Sequence, residues 1–187
     1  MARLLVVGAG GYGRAVAEAA MAGSGHTLAG FVDDRWPDLP SIWGMPVVGR
    51  LADLAALRSR ADAVALAIGD GRARQSAFEL ALAVGFELAS VVHPRAVVSP
   101  SAVLGRGLTI MAGAIVGTEA RVDDGALINA GAVVDHHAHI GAFAHLGVGS
   151  CMGGGAVLEP GARLPAGGSL AAGQRRRAAD SLPLSTL

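Results

Sequence analysis

Residues 96–173 read, in blocks of six, AVVSPS-AVLGRG-LTIMAG-AIVGTE-ARVDDG-ALINAG-AVVDHH-AHIGAF-AHLGVG-SCMGGG-AVLEPG-ARLPAG-GSLAAG. The third position of all thirteen blocks is apolar, from Val98 to Leu170, the first is almost always alanine, and the last is often glycine. A fixed six-residue period is typical of a solenoid, because neither strand alternation nor an α-helix keeps that register. We therefore predict a parallel β-helix of a little over four coils, in which each block forms one side of a triangular prism and its third residue points inward.

The composition of the 187-residue chain excludes several classes of protein. The formal net charge is zero and no basic stripe is present, so nothing indicates nucleic-acid binding. No apolar run reaches the roughly 18 residues of a membrane-spanning helix, and the N-terminal stretch resembles no secretion signal. The single cysteine, Cys151, excludes an intramolecular disulfide and fits a reducing compartment. We therefore expect a cytoplasmic protein that has no membrane-spanning part.

The first half of the chain alternates apolar strands with helical stretches, which indicates a small parallel sheet. Strands are predicted over residues 3–9, 27–32, 63–68 and 86–92, and helices over 14–21, 51–60 and 73–84. The predicted fold class is accordingly an α/β Rossmann-like half domain over residues 1–92, followed by a β-helix domain over residues 93–187 that ends in a short tail.

A glycine-rich turn, GAGGYG, follows the first predicted strand and opens the first helix. Backbone N–H groups in such a turn can approach a phosphate, and an acidic pair at the end of the second strand suits a ribose or uracil contact. A dinucleotide dehydrogenase is the competing interpretation, but about 92 residues leave no room for a substrate domain, so a mononucleotide-type ligand fits better. The predicted substrate-binding residues are Gly8, Gly10, Gly11, Tyr12, Gly13, Asp33, Asp34, Gly69 and Asp70.

Four of the six histidines lie within ten residues, at His136, His137, His139 and His145. In the repeat register these are corner or outward positions, so their imidazoles are not expected to fill the core. Imidazole titrates near neutral pH and can take a proton from an amine or hydroxyl that attacks a thioester. A carboxylate on the other ring nitrogen improves such a base, and Glu119 should lie directly beneath His137 because one coil is eighteen residues. The predicted catalytic residues are His136, His137, Glu119 and Asp135.

Short motifs in order along nearly the whole chain resemble one family. They are the glycine loop GAGGYG, the strand end FVDD, the stretches GMPVVG and IGD, the dipeptide His93-Pro94, VSPSA, IMAG, NAGAVVDH, and Ile140-Gly141 through His145 to Gly149. The chain resembles the hexapeptide-repeat sugar O/N-acetyltransferases, which include sialic-acid O-acetyltransferases and UDP-4-amino-sugar N-acetyltransferases of bacterial glycan synthesis. The resemblance implies a left-handed coil and direct acetyl transfer from acetyl-CoA in a ternary complex.

The same resemblance implies a role for particular residues. His136 would be the general base, and the glycine-rich domain would hold the UDP part of a nucleotide sugar. The active site would lie between neighbouring subunits of a homotrimer, with acetyl-CoA along the coils and no metal. The implied cofactor-binding residues are His145, Asn129 and Gly154, to which we add Arg175 as a hypothesis.

The chain departs from the family pattern in two places. His137 stands where the family usually has an acidic residue, and the repeat ends early, with the arginines of residues 175–177 in place of a further coil. Three alternatives stay open, and these departures bear on the non-catalytic one. The protein could be a sialic-acid-type O-acetyltransferase, or a non-catalytic protein that binds a sugar nucleotide or assembles with a partner. A metal-dependent protein of the γ-carbonic anhydrase type is disfavoured, because adjacent strand residues point in opposite directions.

Overall fold

The computed structural model describes residues 1–23 and 25–180, and its N-terminal part is a small α/β domain. Its helices are α1 (Gly11–Ala22), a 3₁₀ helix (Leu51–Ser59) and α2 (Gly71–Ala83). Its strands are β1 (Ala2–Val7), β2 (His26–Val32), the hairpin pair β3 (Ser41–Ile42) and β4 (Met45–Pro46), β5 (Ala63–Leu66) and β6 (Glu87–Leu88). Four of them form a parallel sheet in the order β2-β1-β5-β6.

Both faces of this sheet are covered, which explains why its central strands are apolar throughout. Along β1, Leu4 and Val6 pack towards α1, whereas Leu5 and Val7 pack towards α2 and the 3₁₀ helix. All four side chains are buried. The prediction of a Rossmann-like α/β region is confirmed by this arrangement.

The rest of the chain is a prism of three five-stranded parallel sheets, which confirms the predicted β-helix. The first face contains β7 (Val91–Val92), β10 (Thr109–Ile110), β13 (Leu127–Ile128), β16 (His145–Leu146) and β19 (Arg163–Leu164). The second face contains β8 (Val97–Val98), β11 (Ile115–Val116), β14 (Val133–Val134), β17 (Cys151–Met152) and β20 (Ser169–Leu170). The third face contains β9 (Val103–Leu104), β12 (Arg121–Val122), β15 (His139–Ile140), β18 (Val157–Leu158) and β21 (Arg175–Arg176).

Each strand pairs with the strand eighteen residues later, so equivalent positions of the repeat stack in columns. The third-position residues of the middle coils, such as Ile128 and Ile140, are fully buried in the prism. The first-position alanines, such as Ala132 and Ala138, are buried beside them because the crowded interior leaves room for no larger side chain.

The structure corrects the predicted ends of the repeat. The strand predicted over residues 86–92 is two separate strands, and only β6 belongs to the α/β sheet, since β7 pairs with β10 in the prism. At the other end, β21 pairs with β18, so the arginine-rich segment is a further side of the prism and not a tail. A 3₁₀ turn, Ala178–Asp180, follows. The rest of the predicted tail, residues 181–187, lies outside the described residues.

One face of the prism is covered by the α/β domain. The outward residues of its first face, Thr109, Leu127 and His145, are buried, whereas the outward residues of the second face, such as Val97 and Ile115, are exposed. The Tyr12 hydroxyl lies 2.6 Å from the Thr109 hydroxyl across this junction. The two domains therefore pack into a single body in which two faces of the prism remain open.

Candidate active site

The predicted catalytic residues meet at one edge of the prism, between its second and third faces. We call this edge, formed by residues 117–119, 135–137 and 153–155 of three successive coils, the histidine corner. The coils are held in register here, since the His137 N–H donates to the Thr118 carbonyl at 2.9 Å and the Gly155 N–H donates to the His136 carbonyl at 3.0 Å. The side chains at this corner leave the prism and are exposed.

Two of these residues have a strained backbone. The last residue of every six-residue block from Gly107 to Gly173 has a positive φ, and glycine occupies most of these positions. The exceptions are Glu119 at 56°, His137 at 59° and Phe143 at 57°. For a residue with a side chain this conformation costs about 1–2 kcal/mol, which is why glycine is preferred.

The reason for the exception at Phe143 lies in its packing. Its ring stacks edge-to-face on Phe78 of α2, at 5.3 Å between ring centroids, and so joins the two domains. Glu119 and His137 have no such packing, because both side chains are about 60% exposed. They contact each other instead.

A chain of polar contacts runs across the histidine corner. The Nε2 atom of His137 lies 2.9 Å from Oε2 of Glu119, so the predicted placement of Glu119 beneath His137 is confirmed. The Nδ1 atom of His137 lies 3.0 Å from Nδ1 of His136. The two imidazoles are nearly perpendicular, at 86°. A carboxylate is thereby connected to His136 through a second imidazole.

Asp135 and Gly154 lie on the other side of His136. One carboxylate oxygen of Asp135 accepts the backbone N–H of His136 at 2.7 Å, and the other lies 3.8 Å from its Nε2, beyond hydrogen-bonding distance. A Cβ atom at Gly154 would approach this Nε2 to 2.7 Å. The absence of a side chain at Gly154 therefore leaves space beside the outer nitrogen of His136.

A second candidate site is a cleft of about 400 Å³ at the carboxyl edge of the α/β sheet. This is where ligands of open α/β sheets usually bind. Several predicted substrate-binding residues line it, and the structure adds apolar neighbours from β1, β2 and α2. Its lining residues are Val7, Gly8, Val32, Asp33, Asp34, Leu51, Ile68, Ala73 and Ser76.

The glycines of the loop divide into two groups. A Cβ at Gly8, which has a φ of 104°, would lie 2.7 Å from the Ala67 carbonyl oxygen, and one at Gly13 would overlap the carbonyl of Gly8. These two glycines are required for packing. Nothing lies within 4 Å of a Cβ built on Gly10 or Gly11, so their backbone is open to an approaching ligand.

The acidic residues of the cleft already have partners. Asp33 accepts the Ala9 N–H at 2.7 Å and pairs with Arg35, and this Arg35 hydrogen bond is the main reason that the pKa of Asp33 falls to about 2. Asp34 accepts the backbone N–H of Leu51, at the start of the 3₁₀ helix, at 2.9 Å. Asp33 is therefore an ionised anchor for the glycine loop, and each carboxylate keeps acceptor capacity for a ligand.

Other predicted substrate-binding residues have structural contacts. Asp70 caps α2 by accepting the Ala73 N–H at 2.8 Å, and the carbonyl of Gly69 accepts a hydrogen bond from a buried arginine, Arg74. The Tyr12 side chain points towards the prism, and burial raises the pKa of its hydroxyl. None of these three residues lines the cleft.

The structure does not bring all predicted coenzyme-binding residues to the histidine corner. His145 lies on the opposite, covered face, and its imidazole is buried beside the α/β domain. Asn129 follows β13 on that same face, and its side-chain oxygen accepts the Ala130 N–H at 2.8 Å. The expectation that outward histidines are not buried is therefore wrong for His145, because the α/β domain covers it. Its contact with the acetyl donor stays a prediction.

The arginines of β21 have separate surroundings. Arg175 is exposed on the third face and pairs with Glu159 at 3.1 Å. Arg176 occupies the inward position and closes the end of the prism by donating to the carbonyl of Arg163 at 2.8 Å. Of the two, Arg175 is the one whose guanidinium is accessible to a coenzyme phosphate, and that contact stays a prediction.

Arg74 is a structurally important residue that the sequence analysis did not single out. Its side chain is fully buried at the domain junction and donates to backbone carbonyls of both domains, namely Ile68, Gly69, Gly125, Phe143 and Ala144. Burial lowers the pKa of Arg74 to about 10, so it remains a cation at neutral pH. The only signal in the sequence is an arginine on the otherwise apolar face of α2, with Ala77, Phe78 and Ala81.

We predict that His145 makes the protein sensitive to acid. Burial lowers the pKa of His145 to about 4 from 6.5, and the positive charges of Arg163 and Arg74 act in the same direction. Below pH 6.5 the His145 side chain therefore binds a proton in the unfolded chain but stays neutral in the folded chain. The free energy of unfolding decreases for this reason as the pH falls from about 6.5 to 4. The loss attributable to this group is on the order of 3 kcal/mol.

Urea unfolding at several pH values would measure this effect. In His145→Leu, the free energy of unfolding should fall less steeply between pH 7 and pH 4 than in the wild type. His26→Leu, at the start of β2, serves as the control and should keep the wild-type slope. Equal slopes in the wild type and His145→Leu would contradict the prediction.

Among residues 1–23 and 25–180, no group of three or more His, Cys, Asp or Glu side chains is arranged to hold a metal ion. His139 pairs separately with Asp123 at 2.7 Å on the third face. In the same part of the chain, no helix is both long enough and apolar enough to cross a membrane.

Known proteins share this architecture. Residues 3–81 match the family model of the PglD N-terminal domain. The structure of PerB from Caulobacter crescentus, in complex with CoA and GDP-perosamine, is 37% identical over 92% of this chain and 87% of that chain, with a TM-score of 0.75. A comparison with curated proteins found no significant match.

A second similar structure is the acetyltransferase domain of PglB from Neisseria gonorrhoeae, which is 30% identical over 97% of this chain and 99% of that chain, with a TM-score of 0.75. The same domain in complex with acetyl coenzyme A is 32% identical over 97% of this chain and 98% of that chain, with a TM-score of 0.69. An α/β domain with a nucleotide-sized cleft, joined to a β-helix with a histidine corner, defines a hexapeptide-repeat acyltransferase. The chain belongs to the sugar N-acetyltransferases of this hexapeptide-repeat family.

Proposed function

We propose that this protein transfers the acetyl group of acetyl-CoA to the amino group of a nucleotide-linked sugar in bacterial glycan synthesis, with His136 as general base. The observation that carries the proposal is the surroundings of the two ring nitrogens of His136. One ring nitrogen is held by His137, and the other faces the space beside Gly154. A base that accepts a substrate proton requires this combination of a fixed ring and an open nitrogen.

The proposed reaction is a direct transfer within a ternary complex. The sugar amine attacks the thioester carbonyl of acetyl-CoA, so that a C–N bond forms and the C–S bond breaks. His136 takes the proton that the nitrogen loses and delivers it to the departing coenzyme thiolate. Asp135, 3.8 Å from Nε2 of His136, stabilises the positive charge that the imidazole carries between these two steps.

The nucleotide part of the substrate is assigned to the cleft at the edge of the α/β sheet. The open backbone at Gly10 and Gly11 suits a diphosphate, and the remaining acceptor capacity of Asp33 and Asp34 suits ribose hydroxyls or base N–H groups. Both uracil and guanine offer such N–H groups. The resemblance favours UDP, whereas PerB was crystallised with GDP-perosamine, so both nucleotides belong in the test.

The active assembly is proposed to be a cytoplasmic homotrimer. The second and third faces of the prism carry exposed apolar side chains, including Val97, Ile115 and Val103, that are typical of a surface covered by another subunit. The His136 side chain is 59% exposed in one chain, so a neighbouring prism could complete the site. Light scattering should give three times the mass of one chain.

A transferase assay tests the proposed function directly. Purified protein is incubated with acetyl-CoA and with UDP- or GDP-linked 4-amino sugars, and thiol release is followed together with the mass of the sugar product. The matched controls are the same nucleotide sugars with a hydroxyl in place of the amine. We expect acetylation of one amino sugar and none of its hydroxyl analogue.

Each other outcome of the assay contradicts this proposal in a defined way. Acetylation of the hydroxyl analogue would assign an O-acetyltransferase. Binding of nucleotide sugar and acetyl-CoA without thiol release would assign a non-catalytic binding protein.

A further inference from the structure

Glu119 and His137 lie at corner positions that glycine would fill at lower energy. The Glu119 carboxylate and the His137 imidazole are exposed, and they contact each other at 2.9 Å. At the third such position, Phe143, packing against the α/β domain offsets the strain. Retention of a strained conformation by two exposed residues, without any packing, points to a role in function.

The chain of polar contacts from Glu119 to His136 has one direction that is set by chemistry. A carboxylate can only accept, so Nε2 of His137 carries the hydrogen that is shared with Glu119. A neutral imidazole has a single N–H, so Nδ1 of His137 is an acceptor. The hydrogen in the 3.0 Å contact between the two Nδ1 atoms therefore belongs to His136.

The consequence concerns the outer nitrogen of His136. With its hydrogen on Nδ1, this imidazole carries its lone pair on Nε2, which is the nitrogen beside Gly154. A histidine side chain in water favours the opposite tautomer, with the hydrogen on Nε2. The chain of contacts thus selects the form of His136 that can act as a base towards solvent and substrate.

We infer that Glu119 and His137 are positioning residues that form a relay, carboxylate to imidazole to imidazole, and that this relay fixes Nε2 of His136 as the base. The effect of the relay on catalysis rests on the proposed function. The tautomer of His136 does not depend on it. The relay takes the place of an acidic residue next to the base. As the proton arrives on Nε2, the Nδ1 hydrogen of His136 remains held by His137, so the ring does not rotate.

The tautomer can be measured without any substrate. We propose ¹⁵N NMR of imidazole nitrogens in the full-length protein at mildly alkaline pH, with His136→Ala used to assign the His136 signals. In the wild type, Nδ1 of His136 should have the shift of a protonated nitrogen and Nε2 that of an unprotonated one. In His137→Gly, the signals should move towards the opposite tautomer.

Two features make His137→Gly a sharp test. Glycine is favoured at a φ of 59°, so the variant should be at least as stable as the wild type, and loss of function could not be attributed to unfolding. The control is His139→Ala, which removes another imidazole bonded to a carboxylate and should leave the His136 signals unchanged.

The kinetic arm tests the role of the relay in the reaction. Glu119→Gln and His137→Gly should each lower kcat by on the order of 10-fold or more, with little change in KM, because they leave the binding groups in place. Since both act through one relay, the double variant should be no slower than the slower single variant.

The NMR and kinetic measurements distinguish a failure of the relay from a failure of the proposed function. A wild-type His136 with its hydrogen on Nε2, or a tautomer unaffected by His137→Gly, would overturn the relay whatever the protein catalyses. A double variant whose kcat losses multiply would also overturn it. If no acetyl transfer is found but the NMR result holds, the proposed function fails and the relay stands.

Discussion

Replacing His136 by alanine is expected to lower kcat for acetyl transfer by about 10²- to 10⁴-fold, the usual contribution of a general base. The coil should stay intact, because the hydrogen bonds that hold it here come from the backbone of His136 and not from its side chain. The imidazole is exposed, so its removal leaves no cavity in the core. Affinity for coenzyme A and for the nucleotide should remain within a few-fold of the wild type.

Steady-state kinetics and calorimetric titration with coenzyme A check this prediction. His26→Ala is the matched control, because this histidine begins β2 at the sheet edge opposite the nucleotide cleft. It should retain the wild-type rate. A His136→Ala variant with an undiminished kcat would show that another group accepts the proton.

Replacing Arg74 by methionine is expected to destabilise the protein by about 3–5 kcal/mol, the usual cost of disrupting a buried, hydrogen-bonded charge. The methionine fills much of the volume but donates no hydrogen bond. Carbonyl groups on both sides of the domain junction then lose a donor at distances as short as 2.6 Å. Because these carbonyls belong to both domains, the attachment of the α/β domain to the prism should weaken as well.

Urea unfolding and thermal melting measure this loss, and a decrease in Tm on the order of 10 °C or more is expected. Arg72→Met, on the same turn of α2 but exposed, is the matched control and should change stability by no more than about 0.5 kcal/mol. Arg74→Lys should recover only part of the loss, because an ammonium cannot reproduce the planar guanidinium fork. A loss below 1 kcal/mol in Arg74→Met would contradict the assigned role of this residue.

The fold was largely predictable because it follows from patterns between neighbouring or regularly spaced residues. The apolar third position of each block, as at Ile128 and Ile140, fixed the prism and its eighteen-residue coil. That coil length in turn predicts that Glu119 lies beneath His137, as the structure shows. The boundary between the two domains was harder to predict. In the sequence Val91–Val92 looks like the end of an α/β strand, but in the structure it pairs with the prism.

The candidate site was predictable only in part. The repeat register identified which side chains leave the prism, and it correctly brought His136, His137 and Glu119 to one corner. The register could not reveal which outward face another domain covers. His145 was for this reason expected to be accessible, and the structure buries it beside the α/β domain.

The sequence by itself determined the two kinds of domain, the stacking of the coils and the place of the histidines at a corner, because these depend on a periodic pattern along the chain. Only the tertiary structure decided which face is buried, how Arg74 joins the domains, and which side chains lie in contact from Glu119 through His137 to His136. Those features depend on distances of about 3 Å between residues far apart in sequence. Periodicity cannot supply such distances, because it specifies which side of the chain a residue faces and not what it meets there.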